Sequence, residues 1–236
     1  MKMKGKIRLL FAVMLCNVFL SGVCVSALRE RLEPWEGSLE AAADGNSLPA
    51  DGEKLLALTF DDGPHSRYTK KLLDGLRERK IKASFFLVGE NIPGNEEVVR
   101  QMAEDGHFIG VHCYSHVDLT KKSTEESCKD ILKTAELIEN ITGARPEYIR
   151  PPYGKWNDEL EECVEMLPVF WDIDTRDWES QNSRRIVNHI CKNAGKHHII
   201  LLHDVFETSV DAALAAVDTL TAEGYTFVTV DELLID

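Results

Sequence analysis

From Lys54 onward the sequence alternates between short apolar runs and longer amphipathic segments, and this alternation restricts the chain to few folds. The runs fall at about 54–60, 83–89, 108–113, 147–151, 168–173, 198–203 and 226–230. They are apolar with little alternation, which predicts strands buried on both faces, as in parallel sheets. The segments between them have readable helix ends: Ser123-Thr124-Glu125-Glu126 opens a periodic stretch that Gly143 closes, and Asp211 to Ala222 stops before Gly224. About seven strands alternating with helices predict an α/β fold, a distorted (β/α) barrel in a single domain. A doubly wound sheet fits less well, because no glycine-rich phosphate turn follows any run.

The residues before Lys54 belong to something else. Lys2, Lys4, Lys6 and Arg8 precede an apolar stretch from Leu9 to Leu20, and Val25-Ser26-Ala27 offers a cleavage site. Residues 1–27 thus read as a secretory signal peptide or, uncleaved, an N-terminal membrane anchor; Val23 before Cys24 suits lipid attachment poorly. Residues 28–53, acidic and broken by Pro34, Gly37, Gly45, Pro49 and Gly52, read as a polar linker, leaving 54–236 as the catalytic-size domain. The expected location is secreted or envelope-associated, with tethering if the leader stays. Of 27 basic and 40 acidic residues only four, all basic, lie in 1–27, so the remainder holds 23 against 40, a net charge of −17. Such a surface disfavours nucleic acid and anionic membranes. Outside the leader stand Cys113, Cys128, Cys163 and Cys191, which allow three pairings or none; with no Cys-x-x-Cys pair, a structural zinc site is not expected.

The chemistry collects at the ends of the runs. Leu55-Leu56-Ala57-Leu58-Thr59-Phe60 delivers two adjacent carboxylates, Asp61 and Asp62, before Gly63-Pro64. Buried neighbouring carboxylates need compensation, and a cation is the usual one: one Asp binds it while the other stays free to accept a proton. The bland alternative is a turn or an N-cap. The third run ends in His112-Cys113-Tyr114-Ser115-His116, two imidazoles able to converge on one ion around a strand end, or else core histidines. The fourth places Arg150 before Pro151-Pro152-Tyr153-Gly154, where its guanidinium could orient Asp61 or simply make a surface ion pair. Asp172-Ile173-Asp174-Thr175-Arg176-Asp177-Trp178 and Leu201-Leu202-His203-Asp204 complete the set. Five of seven strands thus carry ionisable groups at their C-terminal ends, where β/α barrels build active sites.

Taken in order, Thr59-Phe60-Asp61-Asp62-Gly63-Pro64, His112-Cys113-Tyr114-Ser115-His116, Arg150-Pro151-Pro152-Tyr153-Gly154, Asp174-Thr175-Arg176-Asp177-Trp178 and Leu201-Leu202-His203-Asp204 resemble the five motifs of the polysaccharide deacetylases, the NodB-like carbohydrate esterases. The resemblance spans about Lys54 to Leu234 and implies a distorted (β/α) barrel that removes N-acetyl groups from amino sugars of peptidoglycan or chitin, or O-acetyl groups from xylan. It implies one divalent metal ion, Zn2+ first and Co2+, Ni2+ or Mn2+ as alternatives, on Asp62, His112 and His116. It makes Asp61 the base, His203 the general acid, Arg150 the group that orients Asp61, and Asp177 the partner of His203, a place Asp174 could also take. The backbone N–H of Tyr153 would serve the oxyanion, and Trp178 and Leu201 would line the acetyl pocket. Val111 and Cys113 depart from the family pattern, and a thiol beside the site is a possible extra ligand. His107 reads as structural, and His65, His189, His197 and His198 have no partner visible in the sequence.

Two rivals use the same residues. A two-histidine, one-carboxylate iron site would make an oxygenase, but has no need of Asp61 as base or His203 as acid. A catalytically silent secreted carbohydrate-binding protein would need a missing catalytic group, and none is missing. Export and the lack of accessory modules point to the cell's own envelope, hence N-acetylglucosamine of peptidoglycan, with chitin oligosaccharides and acetylxylan as alternatives.

Overall fold

The computed structural model describes residues 53–234; the leader and nearly all of the linker lie outside the described residues. Eight parallel strands form one curled sheet: β1 (Lys54–Asp61), β2 (Ser84–Leu87), β3 (Phe108–Val111), β4 (Tyr148–Ile149), β5 (Leu167–Pro168), β6 (Ile173–Asp174), β7 (His198–His203) and β8 (Tyr225–Val228). The helices are α1 (Tyr68–Arg79), α2 (Glu96–Glu104), α3 (Thr124–Thr142), α4 (Asp158–Val164), α5 (Asp177–Ser180), α6 (Ser183–Asn193), α7 (Glu207–Ala222) and α8 (Val230–Leu234). Among the described residues no helix is long and apolar enough to cross a membrane.

The strand order is β5-β4-β3-β2-β1-β7-β6, and β8 pairs with the N-terminal half of β1 on the edge that β2 takes further along. β1 is therefore the central strand, and its side chains alternate. Leu56, Leu58 and Phe60 pack outward with the helices, whereas Leu55 and Ala57 face inward with Phe86, Val169, Ile199 and Val230. Both faces are dry, which is why the run needed no polar alternation.

The expected strand at 168–173 is two short strands instead. β5 pairs only with β4 and β6 only with β7, at opposite edges of the sheet. Pro168 has no N–H to extend the ladder, and the chain crosses from one edge to the other through Val169–Asp172. Asp172 fixes the landing: its N–H donates to Ile199 O at 2.9 Å and its Oδ2 accepts from Ile199 N at 2.8 Å. The barrel is thus closed by a backbone strap rather than by strand pairing.

α3 carries the capping box expected at Ser123 and Glu126 and ends on Gly143 with φ 76°. α7 starts four residues before the expected Asp211, with Glu207 in its first turn, where a carboxylate suits the helix dipole. Cys128 on α3 and Cys163 on α4 form a disulfide with Cα atoms 6.3 Å apart, while Cys113 and Cys191 are free.

Candidate active site

The inward column of β1 continues through Thr59 to Asp61, which lies in register with His203 on β7. Consecutive strand residues point to opposite faces, so Asp62 would leave the site if the strand continued. It does not: φ of 73° at Asp62 ends the extended run, and Asp61 Oδ2 and Asp62 Oδ1 lie 3.8 and 3.5 Å from the same atom, His112 Nε2.

Asp62, His112 and His116 converge, with one donor atom from each within 4.8 Å of the others. Asp62 Oδ1 is 3.3 Å from His116 Nε2, and this oxygen is buried without a hydrogen-bond partner. His112 Nδ1 lies 2.5 Å from Arg150 O, so it is the protonated nitrogen and Nε2 turns a lone pair inward. Burial holds the His112 imidazole below its ordinary pKa despite Asp61 and Asp62 nearby. An orphaned carboxylate oxygen facing an imidazole lone pair is repulsive unless a cation stands between them. Two imidazoles and a carboxylate are a donor set that fits one divalent ion with positions left open.

The surroundings of Asp61 are built around Arg150, which is fully buried. Its Nη1 donates to Asp61 Oδ1 at 2.9 Å and to Thr59 Oγ1 at 2.6 Å, its Nε to Val169 O at 3.3 Å and its Nη2 to Phe170 O at 3.1 Å. The guanidinium carbon lies 4.3 Å from the centre of the Phe86 ring. Burial lowers the Arg150 pKa, and Asp61 opposes this. The surface ion pair considered for Arg150 is thus replaced by a buried one, and the guanidinium also ties the barrel strap to β1.

On β7, His203 Nδ1 is 2.8 Å from Asp177 Oδ1, and His203 N donates to Asp177 Oδ2 at 2.8 Å. Burial works against the imidazolium, yet the Asp177 carboxylate, with Asp61 and Asp62 beyond it, raises His203 to about 9. Asp177 itself is held below its ordinary value by His203 although burial opposes this. Asp174 accepts from Arg176 N at 2.9 Å instead, so Asp177 is the residue on His203.

The remaining candidates are more open. Tyr153 is left-handed at φ 61° and exposed, with its hydroxyl 3.4 Å from His116 Nδ1. Trp178 is half exposed next to Asp177, and Leu201 is buried one inward position below His203. Cys113 departs from expectation: in the left-handed turn after β3 it packs into the layer between sheet and helices, burial pushes its thiol up to about 12, and it is not among the converging donors. His107 is buried, accepts from Ala83 N at 3.1 Å and is lowered by burial to about 4, as a structural histidine would be. His65 Nδ1 accepts from the N–H groups of Arg67 and Tyr68 at the start of α1.

Three further residues were given no role by the sequence, although Thr59 and Asp204 stand inside quoted motifs. Thr59 Oγ1 donates to Ile200 O at 2.7 Å while accepting from Arg150. Asp204, fully buried, accepts from the Thr69 hydroxyl, and burial raises it to about 7. Asp130 on α3 binds the turn between the two histidines. Asp204 follows His203 directly and Thr59 precedes Asp61 by two residues in a strand-like run, whereas Asp130 lies inside a periodic stretch that reads as ordinary helix.

The chain is similar to known proteins over most of its length. A family described as polysaccharide deacetylase matches residues 49–169. The peptidoglycan-N-acetylmuramic acid deacetylase PdaC of Bacillus subtilis is 41% identical over 192 residues, covering 79% of this chain and 41% of that protein. A peptidoglycan-N-acetylglucosamine deacetylase of Bacillus cereus is 38% identical over 220 residues, covering 88% of this chain and 97% of the relative. The solved structure of PdaC superposes with a TM-score of 0.75, covering 77% of this chain and 90% of the solved one. The chain spans only about two fifths of the full PdaC, as it does of the Listeria monocytogenes peptidoglycan-N-acetylglucosamine deacetylase PgdA, of which it covers 40%.

Proposed function

The chain belongs to the polysaccharide deacetylase family, and on that premise we propose that it is a metal-dependent hydrolase removing N-acetyl groups from an amino-sugar polymer, N-acetylglucosamine of peptidoglycan. The observation that carries this reading is the opposed pair Asp61 and His203, in register on neighbouring strands beside the converging Asp62, His112 and His116. Asp61, held by Arg150, takes the proton of the attacking water. His203, charged at neutral pH through Asp177, gives a proton to the leaving nitrogen. The Tyr153 N–H donates to the oxyanion, and Leu201 and Trp178 flank the acetyl methyl. Asp62, His112 and His116 would hold the divalent ion, Zn2+ first and Co2+, Ni2+ or Mn2+ as alternatives; when bound, it supplies acidity to water and positive charge for the oxyanion.

An iron oxygenase is disfavoured by the same pair, since it would use neither a buried ion-paired carboxylate nor a charged imidazole. The binding-protein reading is disfavoured because every group the hydrolysis needs is present. The leader and linker support action outside the cytoplasm. N-acetylmuramic acid is the second sugar to consider, because that is the substrate in the name of PdaC.

The test is acetate release by the zinc-loaded protein from purified peptidoglycan, chitin oligosaccharides and acetylxylan, followed by mass analysis of the digested wall. Acetate from peptidoglycan with the mass loss on glucosamine is expected; loss on muramic acid would reassign the sugar. Chelation should abolish release and zinc restore it. No acetate from any of the three polymers would favour the binding protein.

A further inference from the structure

The two histidines beside Asp62 are held by different means. His112 follows β3 directly, is buried, and is pinned through Nδ1 to Arg150 O. His116 lies four residues on, in an irregular turn in which both Cys113 (φ 54°) and His116 (φ 47°) are left-handed. Its side chain is 32% exposed, and its Nδ1 reaches only the exposed Tyr153 hydroxyl at 3.4 Å. Such a turn does not keep an imidazole within a fraction of an ångström of a binding geometry unless its backbone is fixed from outside.

The fixing group comes from α3. Asp130 has a side chain only 8% exposed; its Oδ1 accepts from Tyr114 N at 2.5 Å and Ser115 N at 3.3 Å, and its Oδ2 accepts from the Ser115 hydroxyl at 3.0 Å. Lys122 Nζ stands 3.4 Å from the same Oδ2. From the other side Gly89 N and Glu90 N donate to the carbonyls of Cys113 and Tyr114 at 2.9 and 3.0 Å, so the turn is gripped by its donors and by its acceptors. α3 is a firm platform for this: 19 residues long, boxed at Ser123, closed at Gly143 and tied to α4 by Cys128–Cys163.

We propose that Asp130 is a positioning residue for metal capture, presetting the Tyr114–Ser115 turn so that His116 Nε2 faces Asp62 Oδ1. The inference rests on the reading that Asp62, His112 and His116 hold the ion. A carboxylate suits the place because one oxygen takes both N–H groups while the other faces the Ser115 hydroxyl and the Lys122 ammonium; an amide would turn its NH2 toward that ammonium, which has no lone pair to accept with.

The experiment is Co2+ binding to the metal-stripped protein, by visible absorption and by competition with a chromophoric chelator, for the wild type, Asp130→Asn, Ser115→Ala and His116→Ala. Asp130→Asn should weaken Co2+ by about 10–100-fold, the range for residues that orient metal ligands, and alter the cobalt band, while the melting temperature of the metal-free protein stays close to wild type. Ser115→Ala, which removes one of three donors, should weaken Co2+ about threefold on the same scale. Wild-type affinity and spectrum in Asp130→Asn would overturn the proposal while loss of binding in His116→Ala kept the metal reading. Wild-type binding in His116→Ala would instead remove the premise. If Asp130→Asn does not fold, Ser115→Ala decides: weakened affinity with an altered band supports the proposal, and unchanged affinity overturns it.

Discussion

Asp61 and His203 stand opposite each other in the register of β1 and β7, yet they are held by inverse means. The carboxylate is fixed by a buried cation that arrives from β4 across the barrel interior and also binds Thr59 and the strap carbonyls of Val169 and Phe170. The imidazole is fixed by a buried anion at the start of a four-residue helix, through two short hydrogen bonds to one residue. Asp61, the proposed base, is therefore wired into the closure of the barrel, and His203, the proposed acid, into a local contact. Disturbing the first should damage fold and turnover together at every pH; disturbing the second should damage turnover and remove a stabilisation that is itself pH-dependent.

Arg150→Met is the strongest test of that difference. It leaves Asp61 buried without its partner and frees two strap carbonyls, so the protein should lose about 3–5 kcal/mol of stability, the usual cost of breaking a buried ion pair from one side. Denaturant melts would show this, with turnover lost as well. An Arg150→Met variant as stable as wild type would mean the strap is held by packing, and the comparison would fail. Asp61→Asn comes next: the amide oxygen can still accept from Arg150, so the fold and the metal should persist while acetate release falls about 10³-fold, within the range for general acid–base groups. Metal content and acetate release on the same sample would separate the two effects.

Asp177→Asn probes the acid side alone. The His203 pKa of about 9 lies above its unfolded value of about 6.5, so the pair's stabilisation is complete below 6.5 and is lost as pH rises through 9. The amide should bring the basic limb of the rate profile from about 9 down toward 6.5 and flatten the pH dependence of stability in that window. Activity at pH 8 should fall more than activity at pH 6. An unmoved basic limb would show that His203 is not the proton donor.

The same contrast explains what could be read from the sequence. Residues that terminate apolar runs announced themselves, because an ionisable group after buried strand residues has few bland explanations; Asp61, Asp62, His112, Arg150 and His203 all stand so. Only the family resemblance favours Asp177 over Asp174, since the choice depends on the left-handed turn at Arg176 and the start of α5, which local propensity does not specify. The barrel strap was invisible for a related reason: Val169 to Ile173 is as apolar as a strand, and only the opposite pairings of β5 and β6 divide it. Thr59 and Asp130 act through contacts 91 and 15 residues away in sequence, across elements whose packing no single segment encodes. The pairing of Cys128 with Cys163 likewise depends on α3 lying against α4.

Asp204 offers the smallest effect on turnover and sharpens the comparison by being neither case. It follows His203 on the same strand end, is fully buried, and has no cationic partner; only the Thr69 hydroxyl donates to it, and Oδ1 has none. Burial raises it to about 7, against an unfolded value of about 3.9. Between these values the folded state keeps a proton that the unfolded state has released, so stability falls as pH rises from about 4 to 7 and is level above. Asp204→Asn removes that dependence and keeps an acceptor for Thr69. Its melting temperature should change less than that of wild type between pH 4.5 and 7.5, and its acetate release should stay within about threefold, as expected where no proton is transferred. A wild-type slope in Asp204→Asn would mean that this carboxyl is ionised in the fold throughout, and that an unpaired buried charge sits beside the acid after all.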